Sequence, residues 1–484
     1  MAGHPACRHR SATAVVCPGG ALARKSHDRH DPAMPAPVAV DGRESSRHTP
    51  CACYNNGVND LSLLDDYRWL TGAEGARWLR RAAEDRRPLV NQADRLRRRL
   101  SPQRTHLVLQ QVELRRRARA KFADAGRMFF TPLGLQQATD QFVAAYKAAR
   151  FPQGPPLADL CCGIGGDLLG LARRGPVLGI DRDPAAALLA EANARALGLS
   201  AGEGGGAEVR SGDVADVAIS EFAAWHLDPD RRPKGRRTTM VELCEPGLPV
   251  IEKLLVGNAD AAVKLAPAAA LPDAWPQEAE LEWIGRDRQC RQLVAWFGRL
   301  AEHPGKCRAT ILDEKPDGGA DVVRTVIGKR GRSSFSEPGS CDSAIGEEDR
   351  KRAASPFSVG RYVFDPDPAV LAAGLSGALA AEHGLSATGP RAAYLTGDRP
   401  VADPALACFE VTDVLPLDLK RLRRLLHERG IGRLEIKTRI KTRGVAHEPG
   451  QLRRQLHLRG DGSAVLLLAP IGGTVTAILA RRLA

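Results

Sequence analysis

Leu157-Ala-Asp-Leu-Cys-Cys-Gly-Ile-Gly-Gly-Asp167 begins as a short apolar run, turns on glycines and leads into Leu168 to Arg174, a helical stretch. Strand, glycine-rich turn and helix in that order open a doubly wound α/β unit. Gly163 and Gly165 let the backbone approach a ligand closely. The following helix aims unpaired N–H groups and the positive end of its dipole at the same place.

Reading outward, Gly175-Pro-Val-Leu-Gly-Ile is a second strand that ends on Asp181, a little under about 20 residues beyond the turn, where an acid can accept hydrogen bonds from a ribose diol. Pro184 to Leu197 is an Ala-rich helix. Ala207-Glu-Val-Arg-Ser-Gly-Asp213 is a third strand, and its closing acid could reach an adenine amino group. Phe222 to Leu227 is a fourth strand running into Asp228-Pro229-Asp230-Arg231-Arg232, which faces the reacting end of whatever the turn holds. The loop Pro229 to Thr239 also carries Lys234, Arg236 and Arg237, a basic rim suited to a phosphate backbone. Asn193 reads as a helix-surface residue.

This series resembles the class I S-adenosylmethionine-dependent methyltransferases. The resemblance implies a Rossmann-like domain that binds S-adenosylmethionine through Asp159, Gly163, Gly165, Asp181 and Asp213. It implies Asp228 and Pro229 at the catalytic end, with Arg231 and Arg232 holding substrate. Cys161 stands where the family has glycine, a variant similar to the RNA uracil-5 methyltransferases. Those enzymes use a nucleophilic Cys after the next strand; Val250 to Pro267 has none and Cys244 comes earlier, which speaks against that chemistry. Amino-group methyltransferases place a stacking aromatic where this chain has Arg231, which disfavours that subclass as well. Asp228 would orient the acceptor or take its proton, in a reaction where alignment supplies much of the rate.

At 484 residues the chain has room for two to three domains. Its net charge of +13 suits an anionic partner. No apolar run approaches the roughly 18 residues of a membrane span, and the first residues lack a secretory layout, so a cytoplasmic protein is expected. The 11 cysteines are scattered and odd in number, against a disulfide framework. Cys51-Ala-Cys53 lacks a second pair, so no metal site is expected.

Residues 1–58 mix Pro, Gly, Ser, His and Arg without periodicity and read as a disordered extension. Residues 61–150 read as a helical region; its run Arg115 to Lys121 is a basic face or a solvated one. Phe129 and Phe130 read as core aromatics, in a segment that could also fold over the ligand. Residues 151–313 form the cofactor domain, in which Val250 to Val263 is a fifth strand or a helix, Glu280 to Gly285 a strand, Arg288 to Phe297 a helix and Cys307 to Leu312 a closing strand. Residues 314–358 read as a flexible linker. Residues 359–484 alternate helices and strands as an α+β domain.

That last unit resembles the THUMP-like domain that follows a methyltransferase domain in a bacterial family. The resemblance lies in Val414-Leu-Pro-Leu-Asp-Leu-Lys-Arg-Leu-Arg, Gly432-Arg-Leu-Glu-Ile-Lys and Gln451-Leu-Arg-Arg, with Arg119-Ala-Lys-Phe and Phe130-Thr-Pro earlier. It implies a methyltransferase acting on RNA, a tRNA or an rRNA. Two other readings stay open: an RNA-binding protein that keeps the domain as a scaffold without catalysis, and a small-molecule methyltransferase.

Overall fold

The computed structural model describes residues 57–202, 205–314, 320–331, 359–389, 393–438, 448–471 and 474–483. The expected extension 1–58 lies outside these residues save for its end, as do Cys51, Cys53 and most of the expected linker.

Four helices come first: α1 (Gly57–Thr71), α2 (Ala73–Glu84), α3 (Leu89–Arg97) and α4 (Pro102–Ala118). Ser101 starts α4 as an N-cap, accepting from the Arg104 amide at 3.2 Å. Thr131 and Asp140 cap α5 (Pro132–Gln137) and α6 (Gln141–Ala149) in the same way. The helices bury Val108, Leu114, Phe129 and Phe130 in one core with Leu168, Leu171 and Leu189 of the following α/β unit. Both phenylalanines are therefore core residues, as their sequence suggested.

The α/β unit runs β1 (Leu157–Leu160), α7 (Leu168–Leu171), β2 (Pro176–Asp181), α8 (Pro184–Ala196), β3 (Gly206–Ser211), β4 (Ala224–Leu227), α9 (Leu248–Gly257), β5 (Ala261–Leu265), α10 (Trp275–Glu278), β6 (Glu280–Arg286), β7 (Gln289–Trp296), β8 (Cys307–Glu314) and β9 (Ala320–Gly328). The sheet order is 3-2-1-4-5-7-6-8-9. Strands β1 to β5 are parallel and β7 is antiparallel to both its neighbours. The order reverses between β1 and β4, so a crevice opens there at the carboxyl ends of the strands.

Residues 289–296 are a strand and not the helix their spacing suggested. Asp287 and Arg288 both have positive φ, 54° and 56°, the two-residue turn that folds a strand back on its predecessor. Leu293 to Trp296 is then an apolar run buried on both faces, which periodicity alone does not separate from a buried helix. The stretch Val250 to Val263 resolves into both a helix and a strand, and β9 lies inside the expected linker.

β10 (Tyr362–Pro366) leads into α11 (Pro368–Ala373) and α12 (Ser376–His383), which Gly374 separates at φ 72°. There follow β11 (Ser386–Ala387), β12 (Leu395–Gly397), β13 (Leu406–Pro416), α13 (Leu419–Glu428), β14 (Ile431–Thr438), α14 (Pro449–Leu456), β15 (Gly462–Ile471) and β16 (Thr474–Arg482). They form a second sheet ordered 11-12-10-13-16-15-14. Buried Asp365 of β10 receives Arg288 from the β6–β7 turn and Lys437 at 3.1 Å from β14, so the two sheets meet on one carboxylate. Among the described residues no helix is long and apolar enough to cross a membrane.

Candidate active site

A cavity of about 480 Å³ opens where the strand order reverses. Asp159, Gly163, Asp181, Asp213, Asp228, Pro229 and Arg231 all line it. Gly165 and Arg232 do not. Gly165 (φ 92°) lies behind the turn, where an added Cβ would touch Ala190 at 3.5 Å. Arg232 reaches sideways to Gln136 Oε1 at 2.9 Å.

The turn is held by its own acid. Asp181 accepts from the Gly163 amide at 2.8 Å through Oδ2 and from the Asp183 amide at 2.9 Å through Oδ1. Burial pushes its carboxyl up, against those two hydrogen bonds. Gly163 has φ 56°, and a Cβ there would meet no protein atom within 4 Å, so the backbone faces open room. Cys161 also sits at positive φ, 57°, which explains why glycine is the easier residue there. Its thiol lines the cavity and burial pushes it well above the ordinary value. Asp213 caps the short turn after β3 by accepting from the Ala215 amide at 2.9 Å.

The segment Thr131 to Thr139 forms one wall. Two bonds fasten it to the loop after β4: Gln137 Nε2 to Asp230 Oδ1 at 3.3 Å, and the Arg232–Gln136 contact. Lys121 donates to the carbonyls of Leu135 and Ala138 at 2.8 and 2.7 Å, which closes the end of α5. Asn193 is fully buried, contrary to its reading as a surface residue. Its side chain accepts from the Phe129 amide at 2.6 Å and donates to the carbonyls of Phe129 and Ile164 at 3.0 and 2.9 Å.

Beneath the cavity lies a chain of buried ionisable groups. His226 Nδ1 meets Asp159 Oδ1 at 2.7 Å, and His226 Nε2 meets Lys147 Nζ at 3.2 Å. Lys147 pairs with Asp167 Oδ1 at 2.6 Å, and Thr139 donates to Asp167 Oδ2 at 2.6 Å. Lys264 stands 3.9 Å from Asp167 Oδ2 and 2.6 Å from Asp228 Oδ2. Burial alone would raise Asp167, yet Lys147, His226 and Lys264 outweigh it and hold its carboxyl far below the usual range. Burial pushes the Lys147 ammonium down and lifts the Asp159 carboxyl. Lys264 is opposed by burial too, but Asp228 and Asp167 keep it charged. Asp159 Oδ2 is buried at the cavity with no hydrogen-bond partner among the described residues.

Sequence reasoning found the acids at the strand tips and missed Lys147, Asp167, His226 and Lys264. Their signal was present: each of Lys147, His226 and Lys264 interrupts an apolar run, and such a residue is buried only when it has a partner.

A family model described as THUMP domain-like matches residues 406–482, and a domain of unknown function matches residues 60–118. Over 369 residues the chain is 32% identical to a protein of Mycobacterium tuberculosis named an uncharacterised S-adenosylmethionine-dependent methyltransferase, covering 74% of this chain and 91% of the relative. The protein appears so in the CDC 1551 and H37Rv strains alike. Among solved structures, a protein of Porphyromonas gingivalis W83 described as a candidate methyltransferase superposes with a TM-score of 0.66 at 20% identity, covering 88% of this chain and 99% of that one.

Proposed function

The chain belongs to the S-adenosylmethionine-dependent methyltransferases, and from that membership we propose that it methylates structured RNA, a tRNA or an rRNA, inside the cell. The observation that carries the substrate class is the THUMP domain-like unit at 406–482 on a chain whose cavity mouth bears Arg231. The net charge of +13 and the arginines of the loop after β4 agree with a phosphate-rich partner.

The cofactor supplies an electrophilic methyl group on a sulfonium, and the residues present suit it. Asp159 Oδ2, buried and without a hydrogen-bond partner among the described residues, is an acceptor for the ammonium of its methionine end. The open room at Gly163 takes the ligand against the backbone. Asp181 receives the ribose diol, and Asp213 the adenine amino group. Gly165 serves by letting the turn pack on α8. Asp228 and Pro229 border the acceptor, Arg231 steers the phosphates toward the mouth, and Arg232 supports it through the Gln136 contact. Transfer is an in-line displacement, so these groups act by holding two reactants in register and excluding water.

The uracil-5 route is not part of this reading. The Cys244 thiol is buried and donates to the Met240 carbonyl at 3.4 Å, and the Cys161 thiol stays protonated.

The test is transfer of label from methyl-labelled S-adenosylmethionine into total RNA of a strain lacking the gene, followed by nucleoside mass spectrometry. One labelled RNA species is expected. Absence of label in every RNA fraction would remove RNA as the substrate.

A further inference from the structure

We infer that Lys264 is the positioning residue of the transfer site: it pins one oxygen of Asp228 so that the other faces the acceptor, which fits the site to an acceptor atom bearing a hydrogen, N–H or O–H, and not to a ring carbon. The inference rests on the reading of Asp228 as the acceptor-end carboxylate.

Lys264 is the one charged residue of β5, whose other members Ala261, Ala262, Val263 and Leu265 are all buried. A lysine in such a strand stays only where its ammonium is met. Among the described residues three groups meet it: Asp228 Oδ2 at 2.6 Å, the Gln137 carbonyl at 3.4 Å and Asp167 Oδ2 at 3.9 Å. β5 pairs with β4 so that Val263 stands opposite Leu227, which brings Lys264 alongside Asp228. The Asp228 backbone is fixed as well, its amide donating to the Leu160 carbonyl of β1 at 3.2 Å. With backbone and Oδ2 both held, one orientation remains for Oδ1. That oxygen makes no hydrogen bond among the described residues, and the side chain, 25% exposed, lines the cavity. An ion-paired carboxylate held in this way accepts a hydrogen bond and orients its donor. A ring carbon offers no such donor, and neither Cys161 nor Cys244 is set up to activate one.

In the step itself the acceptor lone pair forms the X–CH3 bond as the S–CH3 bond breaks. The S–CH3 electron pair stays on sulfur, and the acceptor's proton passes along Asp228 to water at the mouth.

The test needs no RNA at first. Sinefungin carries an amine where the cofactor carries its transferable methyl, so it offers Asp228 an N–H donor; S-adenosylhomocysteine does not. Titration calorimetry on the full chain compares the two ligands in wild type, K264M, D228N and the double variant. In K264M the affinity for S-adenosylhomocysteine is expected to stay within about threefold, while that for sinefungin shifts by about tenfold or more. In the D228N background the shift caused by K264M shrinks to about threefold or less. No shift, or an equal one in both backgrounds, overturns the role of Lys264. K264R, which keeps the charge, recovers the wild-type ratio in part and serves as the second variant where K264M fails to fold.

With labelled cofactor and RNA, K264M is expected to lower kcat by about tenfold or more at unchanged KM for the cofactor. A methyl found on a ring carbon overturns the acceptor class. Wild type that labels no RNA, with the sinefungin cycle as expected, removes RNA and keeps Lys264. Labelling lost in D228N but kept in K264M removes Lys264 and keeps RNA.

Discussion

Helix α6 borders two buried ion networks that differ in one respect. From one side Lys147 enters the chain Asp159–His226–Lys147–Asp167–Lys264–Asp228. From the other, Tyr146 and the capping residue Arg150 enter a cluster around Glu280 and Glu282 of β6. Glu282 accepts from Tyr146 and Thr310 at 2.5 Å each and from Trp296 Nε1 at 2.8 Å. Glu280 accepts from the amides of Glu302 and His303 at 2.7 and 2.9 Å, contacts Arg150, and pairs with Arg308 at 2.6 Å. In this second network Glu282 has both oxygens engaged and neither Glu is exposed. The first network ends at both sides on the cavity, with Asp159 Oδ2 unpartnered among the described residues and Asp228 partly exposed. Buried charge by itself says nothing about function. The unfinished end of a network is what marks a place for a ligand.

The sharpest way to break this contrast is Glu282→Ala. Removing the acceptor strands Trp296 Nε1 and takes the charged partner from Tyr146 and Thr310, while Arg150 keeps only Glu280 and the more distant Glu302, and a loss of about 3–5 kcal/mol is expected in denaturant unfolding. Cofactor affinity of the folded fraction should hold, read by calorimetry; a parallel loss of affinity would mean the two networks are coupled through α6. Asp181→Ala is the converse. It removes a charged acceptor from the cavity and the latch on Gly163, so S-adenosylmethionine affinity should fall by about 10–100-fold, the value of one or two hydrogen bonds to a charged group. Unchanged affinity would unseat the assigned pocket.

A pH series sharpens the comparison further. Burial would raise the Asp167 carboxyl, yet three cationic or imidazole partners hold it below its unfolded value. Its charge therefore adds stability above about pH 4, and that contribution drains away as pH falls below it. In Asp167→Asn the melting temperature should drop less than in wild type between about pH 5 and pH 3. An identical acid limb would show that the network draws no net stability from this carboxylate. The smallest effect is expected from Cys161→Gly. Relief of a side chain at φ 57° is offset by the added freedom of the unfolded chain, leaving a gain of at most about 1 kcal/mol in denaturant unfolding. A loss would show that the thiol's packing outweighs the strain.

The strand–turn–helix and the convergence of Asp181, Asp213 and Asp228 on one cavity were legible because their signal is local: a glycine that must turn, an acid at a fixed distance along the chain. The network beneath was not, because its pairs join residues distant in sequence, 67 positions apart for Asp159 and His226 and 79 for Lys147 and His226. Asn193 misled for the same reason: its partners lie 64 and 29 positions away. β7 misled because an apolar run suits a buried strand and a buried helix alike. The turn residues Asp287 and Arg288 are not those that usually announce a two-residue hairpin.

The Asn193 amide reaches in one direction to the backbone ahead of α5 and in the other to the carbonyl of Ile164, inside the glycine turn. A fragment begun at Leu157 would carry every strand of the α/β sheet and still leave that amide with one of these three hydrogen bonds. A fragment that keeps the glycine turn held in this way is therefore expected to start upstream of Phe129. A search for an excisable core would have to carry the segment ahead of α5 along with the sheet.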